Sequence, residues 1–217
     1  MSRIDGRADA ATLRCPHVLF HDFLGTETVA ALLDYVAARE RDFTPSKVRN
    51  RQSGPRIDRA VRDCYDLAGV GPFKATLRAC IGRIAAQTVQ RLGLFEPAVE
   101  PREFEIAAYC DGGHFAPHLD TFELNRVRVL TCVYYFAATP CRFSGGNLRL
   151  HGFPARSAEG GMEPQTVDIM PETDSLVVFP SWLRHEVMPV EVPSRAWADA
   201  RFSINCWIHR VGPAAKA

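Results

Sequence analysis

From Arg102 to His209 the chain breaks into short runs of strand length, and this rhythm limits the folds open to it. The runs are Glu103 to Cys110, Val127 to Phe136, Gly146 to His151, Gln165 to Ile169, Ser175 to Phe179, Glu186 to Val190 and Arg201 to His209. They are rich in β-branched and aromatic residues, and turn-forming residues separate them. Two earlier stretches have helical spacing instead. In Glu27 to Arg41, the residues Val29, Leu32, Leu33 and Val36 share a face, with Thr26 as a candidate cap. From about Phe73 to Leu92, the residues Leu77, Ile81, Ile84, Thr88 and Leu92 form one stripe; Pro72 suits its start and Gly93 its stop.

Two helices followed by seven or eight short strands predict a mainly β fold, a double-stranded β-helix (a jelly roll of the cupin kind) buttressed by helices. A chain of 217 residues buries one substantial core and is short for two domains of ordinary size. One domain over 1–217 is expected, with a helical part over about 1–100 and a jelly-roll core over about 102–209. Between the helices, Phe43 to Arg62 is polar and basic and contains Pro45, Gly54 and Pro55, so it reads as a long loop, a candidate lid. Its Lys47, Arg49, Arg51, Arg56, Arg59 and Arg62 are diluted by Asp58 and Asp63. The loop reads as solvated or substrate-facing, and at a pocket mouth it would favour an acidic or carboxylate-bearing target.

Lysine and arginine number 26 against 25 acidic residues, so no general field draws in nucleic acid or an anionic membrane, and neither is expected as a partner. The seven cysteines are odd in number and form no CxxC pair, which argues against a zinc ribbon or a thioredoxin-like motif. Cys80, Cys132 and Cys206 sit in apolar runs, as small buried hydrophobes do. A reducing cytoplasm fits this usage. The amino-terminal stretch MSRIDGRADAATLR has no apolar core of signal-peptide length, and no run approaches a membrane span.

The chemistry concentrates in Tyr109 to Asp120. His118 and Asp120 lie two residues apart, which in an extended chain puts both side chains on one face. A third ligand must come from elsewhere, and His185 follows a β-rich run that would carry it into a neighbouring strand. Two imidazoles and one carboxylate on a single triangular face leave three metal positions open, the arrangement of non-haem iron(II) oxygenases. A 2-oxo acid can chelate two of them and dioxygen can take the third. A lone HxD arises often by chance, so the residues around it decide its weight.

Those residues carry a resemblance. Tyr109-x-x-Gly112-x-x-Phe115-x-x-His118-x-Asp120, Arg128-x-x-Thr131-x-x-x-Tyr135, Ser144-Gly145-Gly146-x-Leu148 and His185-Glu186-Val187-x-Pro189-Val190 resemble, in order and approximate spacing, the prolyl 4-hydroxylase-like 2-oxoglutarate and iron(II)-dependent dioxygenases. The likeness covers about Arg102 to Ile208, with Val18 to Val36 more weakly similar. It implies a jelly roll that binds Fe(II) through His118, Asp120 and His185, uses 2-oxoglutarate and dioxygen, and needs ascorbate where the iron must be kept reduced.

The family also implies an arginine or lysine on a late strand for the distal carboxylate of 2-oxoglutarate. Arg195 lies ten residues past His185, the commoner interval. Arg201 is favoured because Arg201, Ser203, Asn205 and Trp207 alternate with Phe202, Ile204, Cys206 and Ile208 as a strand should, and a guanidinium binds a carboxylate bidentately. By the same resemblance Tyr109, Thr131, Tyr135 and Asn205 line the co-substrate pocket; Asn205 stands where the family often has threonine. Taken singly, Tyr109, Tyr135 and Trp207 read as core aromatics, Gly145 and Gly146 as a turn, and His114 as an exposed loop residue or a group behind the ligands. Related halogenases replace the carboxylate by a small residue, so Asp120 favours hydroxylation. The implied substrate is a prolyl residue of a protein or peptide; a free amino acid or small metabolite, or a jelly-roll module that only binds a ligand, are the alternatives.

Overall fold

Alternation along Arg201–Arg210 shows how the protein is layered. Phe202, Ile204, Cys206 and Ile208 belong to a core shared with the helices, while Arg201, Ser203, Asn205 and Trp207 point to the opposite face. The computed structural model describes residues 3–4, 15–50, 54–96, 98–121, 127–156 and 161–212. The strands that frame the site are β1 (Val18–His21), β2 (Arg62–Asp63), β3 (Tyr65–Ala68), β4 (Val99–Tyr109), β5 (His114–His118), β6 (Arg128–Phe136), β7 (Leu148–His151), β8 (Thr166–Ile169), β9 (Ser175–Pro180), β10 (Arg184–Val187) and β11 (Arg201–Arg210). The helices are α1 (Thr26–Ala38) and α2 (Lys74–Arg91).

The major sheet runs in the order Arg3–Ile4, β1, β9, β6, β11, β4, β3, Thr44–Pro45, and the minor sheet in the order β8, β7, β10, β5, β2. Every pairing within them is antiparallel. The helices bury Leu32, Val36, Leu77 and Ile81 with Ile106, Leu130, Tyr134 and Ile204 of the major sheet, each such side chain contributing about 1.5–3 kcal/mol. On the sheet's other face lie two smaller apolar groups. One contains Val133, Tyr135, Leu148, Leu150 and Phe179; the other contains Cys64, Ala107, Tyr109, Val187 and Val190. This is a double-stranded β-helix with its helices on one side, as expected.

The structure departs from the sequence reading in four places. The first hundred residues are not only helical, since β1 and β3 extend the major sheet and β2 closes the edge of the minor one. The stretch 43–62 contains the short strands Thr44–Pro45, Val48–Asn50 and Gly54–Arg56 rather than an unbroken loop; Arg51 lies outside the described residues. The run expected over Glu186 to Val190 pairs as Arg184–Val187, and Val190 belongs to a separate two-residue strand paired with Ser144–Gly145. Thr26 is not a cap, because α1 starts on Gly25, which offers no side chain. The turn leading into the helix is held instead by Asp174, distant in sequence, whose carboxylate accepts from the backbone N–H of Leu24 (2.8 Å) and Gly25 (2.9 Å) and from the Tyr134 hydroxyl (2.8 Å). Among the described residues no helix is long and apolar enough to cross a membrane.

Candidate active site

Strands β5 and β10 pair so that His118 and His185 are direct partners. Each imidazole has its Nδ1 against the backbone carbonyl two residues earlier, His118 on Ala116 at 3.0 Å and His185 on Leu183 at 2.9 Å. A carbonyl only accepts, which assigns the proton to Nδ1 and leaves the Nε2 lone pair of both rings available. Both Nε2 atoms face Asp120, at 3.8 Å from Oδ1 for His118 and 3.6 Å from Oδ2 for His185. The three ligand atoms lie within 4.8 Å of one another. Rings brace this arrangement. Phe115 stacks on His118 with centroids 3.6 Å apart, and Phe179 meets His185 edge-on at 4.7 Å.

Asp120 follows β5 and is held from two sides. Its backbone N–H and that of Thr121 donate to the Ser181 carbonyl, at 3.2 and 3.1 Å, and the Thr131 hydroxyl donates to Oδ2 at 2.7 Å. Burial alone would raise the Asp120 pKa, but His185, His118 and the Thr131 hydroxyl outweigh it and hold the carboxyl below its ordinary value. Burial, and then the charge of His185, push the His118 pKa down to about 3. Near neutral pH the cluster therefore offers a neutral His118 imidazole beside a carboxylate, the protonation states in which these groups bind a metal.

A second polar centre lies on the major sheet. Arg201 is 1% exposed, and its Nε donates to the Gly146 carbonyl at 2.8 Å. Its guanidinium carbon sits 4.8 Å from the centre of the Tyr109 ring and 4.9 Å from that of Tyr135. Both terminal nitrogens and the Tyr135 hydroxyl are buried without a hydrogen-bond partner. Unsatisfied buried donors are rare in a folded chain, and three converging on one spot match a carboxylate acceptor. Gly146 makes room for this, since a Cβ there would stand 2.6 Å from Arg201 Cδ, and its φ of +66° suits glycine.

The structure brings His118, Asp120 and His185 together, and sets Arg201, Tyr109 and Tyr135 together. Thr131 and Asn205 go elsewhere. The Thr131 hydroxyl serves Asp120, and Asn205 donates to Glu105 Oε1 at 3.3 Å. Arg195 points outward, with 79% of its side chain exposed and Asp111 3.3 Å away. His114 ties two loops through the carbonyls of Gly112 and Ala60. Ser181, Gly146 and Arg62 were not singled out as site residues by sequence; only the double glycine, a strain signal, pointed to one of them. Three arginines of the 43–62 stretch are paired with nearby carboxylates, Arg56 with Asp58, Arg59 with Asp63 and Arg62 with Asp66. These three do not stand as free cations, which weakens the charge argument for an acidic target.

Fold and cluster together define a class, the double-stranded β-helix proteins that carry two histidines and one carboxylate at a single point. Residues 104–209 match the 2OG-Fe(II) oxygenase superfamily. An uncharacterized PKHD-type hydroxylase of Synechocystis is 38% identical over 139 residues, which are 64% of this chain and 46% of that protein. This chain thus aligns with about half the length of that curated relative. A prolyl-4-hydroxylase of Pseudomonas putida superposes with a TM-score of 0.63 at 22% identity, covering 93% of this chain and 96% of its own. A prolyl hydroxylase from Trichoplax adhaerens, in complex with a peptide of a hypoxia inducible factor, does so with a TM-score of 0.65 at 20% identity, over 92% and 86%. The matched segment, residues 104–209, is of the 2OG-Fe(II) oxygenase superfamily.

Proposed function

We propose that this protein is a 2-oxoglutarate- and Fe(II)-dependent dioxygenase that hydroxylates an unactivated carbon. His118, Asp120 and His185 hold the iron, and Arg201 with Tyr135 binds the distal carboxylate of 2-oxoglutarate over the Tyr109 ring. The observation that carries this reading is the buried Arg201 guanidinium, with both terminal nitrogens and the neighbouring Tyr135 hydroxyl unpaired, inside the barrel that also holds the histidine and aspartate cluster. Bound Fe(II) would activate dioxygen, the oxidant, with 2-oxoglutarate giving up two electrons as it is decarboxylated to succinate and the substrate C–H giving up the other two. The chain's own task is to fix three ligands on one face, anchor the dicarboxylate and keep the cavity dry. We take residues 1–217 as one catalytic domain, a reading supported by the core that α1 and α2 share with β6 and β11.

The substrate we propose is a prolyl residue of a protein or peptide, in line with the hydroxylases this chain resembles. The seven free cysteines suit a reducing compartment such as the cytoplasm. The test is a coupled assay with Fe(II), 2-oxoglutarate and ascorbate to keep the iron reduced, screening prolyl peptides, free amino acids and small metabolites by mass spectrometry. Succinate release together with a gain of one oxygen is expected for a peptide. Oxygen gain only on free amino acids would move the substrate to that class. A protein that binds neither metal nor 2-oxoglutarate would be a ligand-binding module, and the enzyme reading would fall.

A further inference from the structure

One residue outside the matched 104–209 segment reaches the candidate ligands from the far edge of the minor sheet. Arg62 on β2 pairs with Phe115 on β5. Its guanidinium carbon lies 4.8 Å from the centre of the Phe115 ring. The other side of that ring carries His118, stacked at 3.6 Å and 15°; a face covered at that distance has no room for a guanidinium, so Arg62 must lie on the opposite one. The result is a three-layer stack, guanidinium on phenyl on imidazole. Arg62 is itself clamped. Nη2 donates to Asp66 Oδ1 at 2.8 Å and lies 3.7 Å from Glu105 Oε1, Nε donates to Cys64 Sγ at 3.2 Å, and 11% of the side chain is exposed. Asp66 and Glu105 stand on β3 and β4, so Arg62 also ties the minor sheet to the major one.

We infer that Arg62 is a positioning residue for His118, acting through Phe115. The carbonyl of Ala116 fixes one edge of the imidazole but leaves the ring free to swing about that contact. The stack removes this freedom, and the two carboxylates keep the outermost layer in place. A planar cation is needed, because a lysine ammonium neutralises Asp66 and Glu105 without covering a ring face.

The inference rests on the proposed role of His118 and is tested on metal binding alone, without 2-oxoglutarate or substrate. Cobalt(II) titration, read by calorimetry and by the visible absorption of the bound ion, is run on wild type, Arg62→Ala, Phe115→Ala and the double variant. Partners standing behind a ligand typically change metal affinity about 10–100-fold, and for a residue two layers away the lower end is expected, about 10-fold for Arg62→Ala. If Arg62 acts through Phe115, the double variant binds no more weakly than Phe115→Ala. Unchanged affinity in Arg62→Ala, or losses that simply add, would overturn the inference. If Arg62→Ala does not fold, Arg62→Lys decides, with weaker cobalt binding and an altered spectrum expected at an unchanged thermal midpoint of the metal-free protein. Wild type that binds no cobalt would remove the metal reading and this one with it. Wild type and Arg62 variants that bind alike would remove this one alone.

Discussion

Arg201→Met separates what a buried cation does for the fold from what it does for a ligand. In the ligand-free chain the guanidinium keeps one hydrogen bond, to Gly146, and two ring contacts, while two of its nitrogens go unsatisfied. A hydrogen bond from a charged group contributes about 1.5–3 kcal/mol, and a desolvated cation–π contact about 2 kcal/mol. Against them stand the desolvation of the ion, several kcal/mol, and about 1–3 kcal/mol for each unsatisfied donor. These oppose one another, so methionine, which fills the same slot without a charge, is expected to leave the ligand-free thermal midpoint within a few degrees of wild type. Binding is different. Truncating one partner of a buried charge pair costs about 2–5 kcal/mol, a loss in 2-oxoglutarate affinity of about 30-fold to about 5000-fold. At 100 times the wild-type Kd, the ligand stabilises wild type by about 2.7 kcal/mol, which for a chain of this size raises the midpoint by about 5–11 °C. A 30-fold weaker site at the same concentration retains at most about 0.9 kcal/mol, or about 2–4 °C. The assay is thermal unfolding with manganese present, with and without 2-oxoglutarate. A variant that keeps the full ligand-induced shift would refute the placement of the co-substrate at Arg201.

Asp120→Ala should abolish metal binding in calorimetry, and wild type treated with a chelator should match it in showing no succinate release. Gly146→Ala should raise the KM for 2-oxoglutarate about 10-fold or more, since its Cβ would meet Arg201 Cδ at 2.6 Å, while metal affinity measured separately stays unchanged. Asp174→Asn keeps a residue that tolerates the φ of +61°, but it weakens the acceptor of two helix-start amides and a buried tyrosine hydroxyl. Urea unfolding should show a loss of about 1–3 kcal/mol with 2-oxoglutarate affinity unaltered.

How far the sequence could be read depended on whether the determining contacts were local. Alternation in Arg201 to Ile208 and helical stripes around Leu32 and Ile81 are set within one element, and the strands and helices they predict are present with ends shifted by a few residues. Asp174 holding the turn into α1 joins residues about 150 positions apart, a contact that the local sequence around Thr26 does not carry. Thr131 shows a second limit. Its position on an inner strand face was legible, but whether its hydroxyl turned to the co-substrate or to Asp120 depended on where the chain after β5 came to rest. The basic stretch around Arg56 and Arg62 shows a third, since composition counts charges without revealing that Arg56, Arg59 and Arg62 each have an acidic neighbour in space.

The candidate site is divided between the two sheets, and this division accounts for the pattern of buried polar groups. His118 and His185 sit on the minor sheet, where the register of β5 with β10 makes them direct partners, whereas Arg201, Tyr109, Tyr135 and Thr131 sit on the major sheet. Any relative sliding of the sheets would change the distance from the proposed metal ligands to the proposed carboxylate anchor, a distance that a chelating co-substrate would need fixed. Three bridges oppose such sliding. Thr131 of the major sheet bonds Asp120, which follows β5; the Gly146 carbonyl, just before β7, holds Arg201; and Arg62 of the minor sheet is clamped by Asp66 and Glu105 of the major one. Each bridge has a polar atom at both ends, so each orients as well as connects, which apolar packing of the same area does not do. The polar residues inside the barrel thus fall into two groups, those that face a ligand and those that set the spacing between its binding groups.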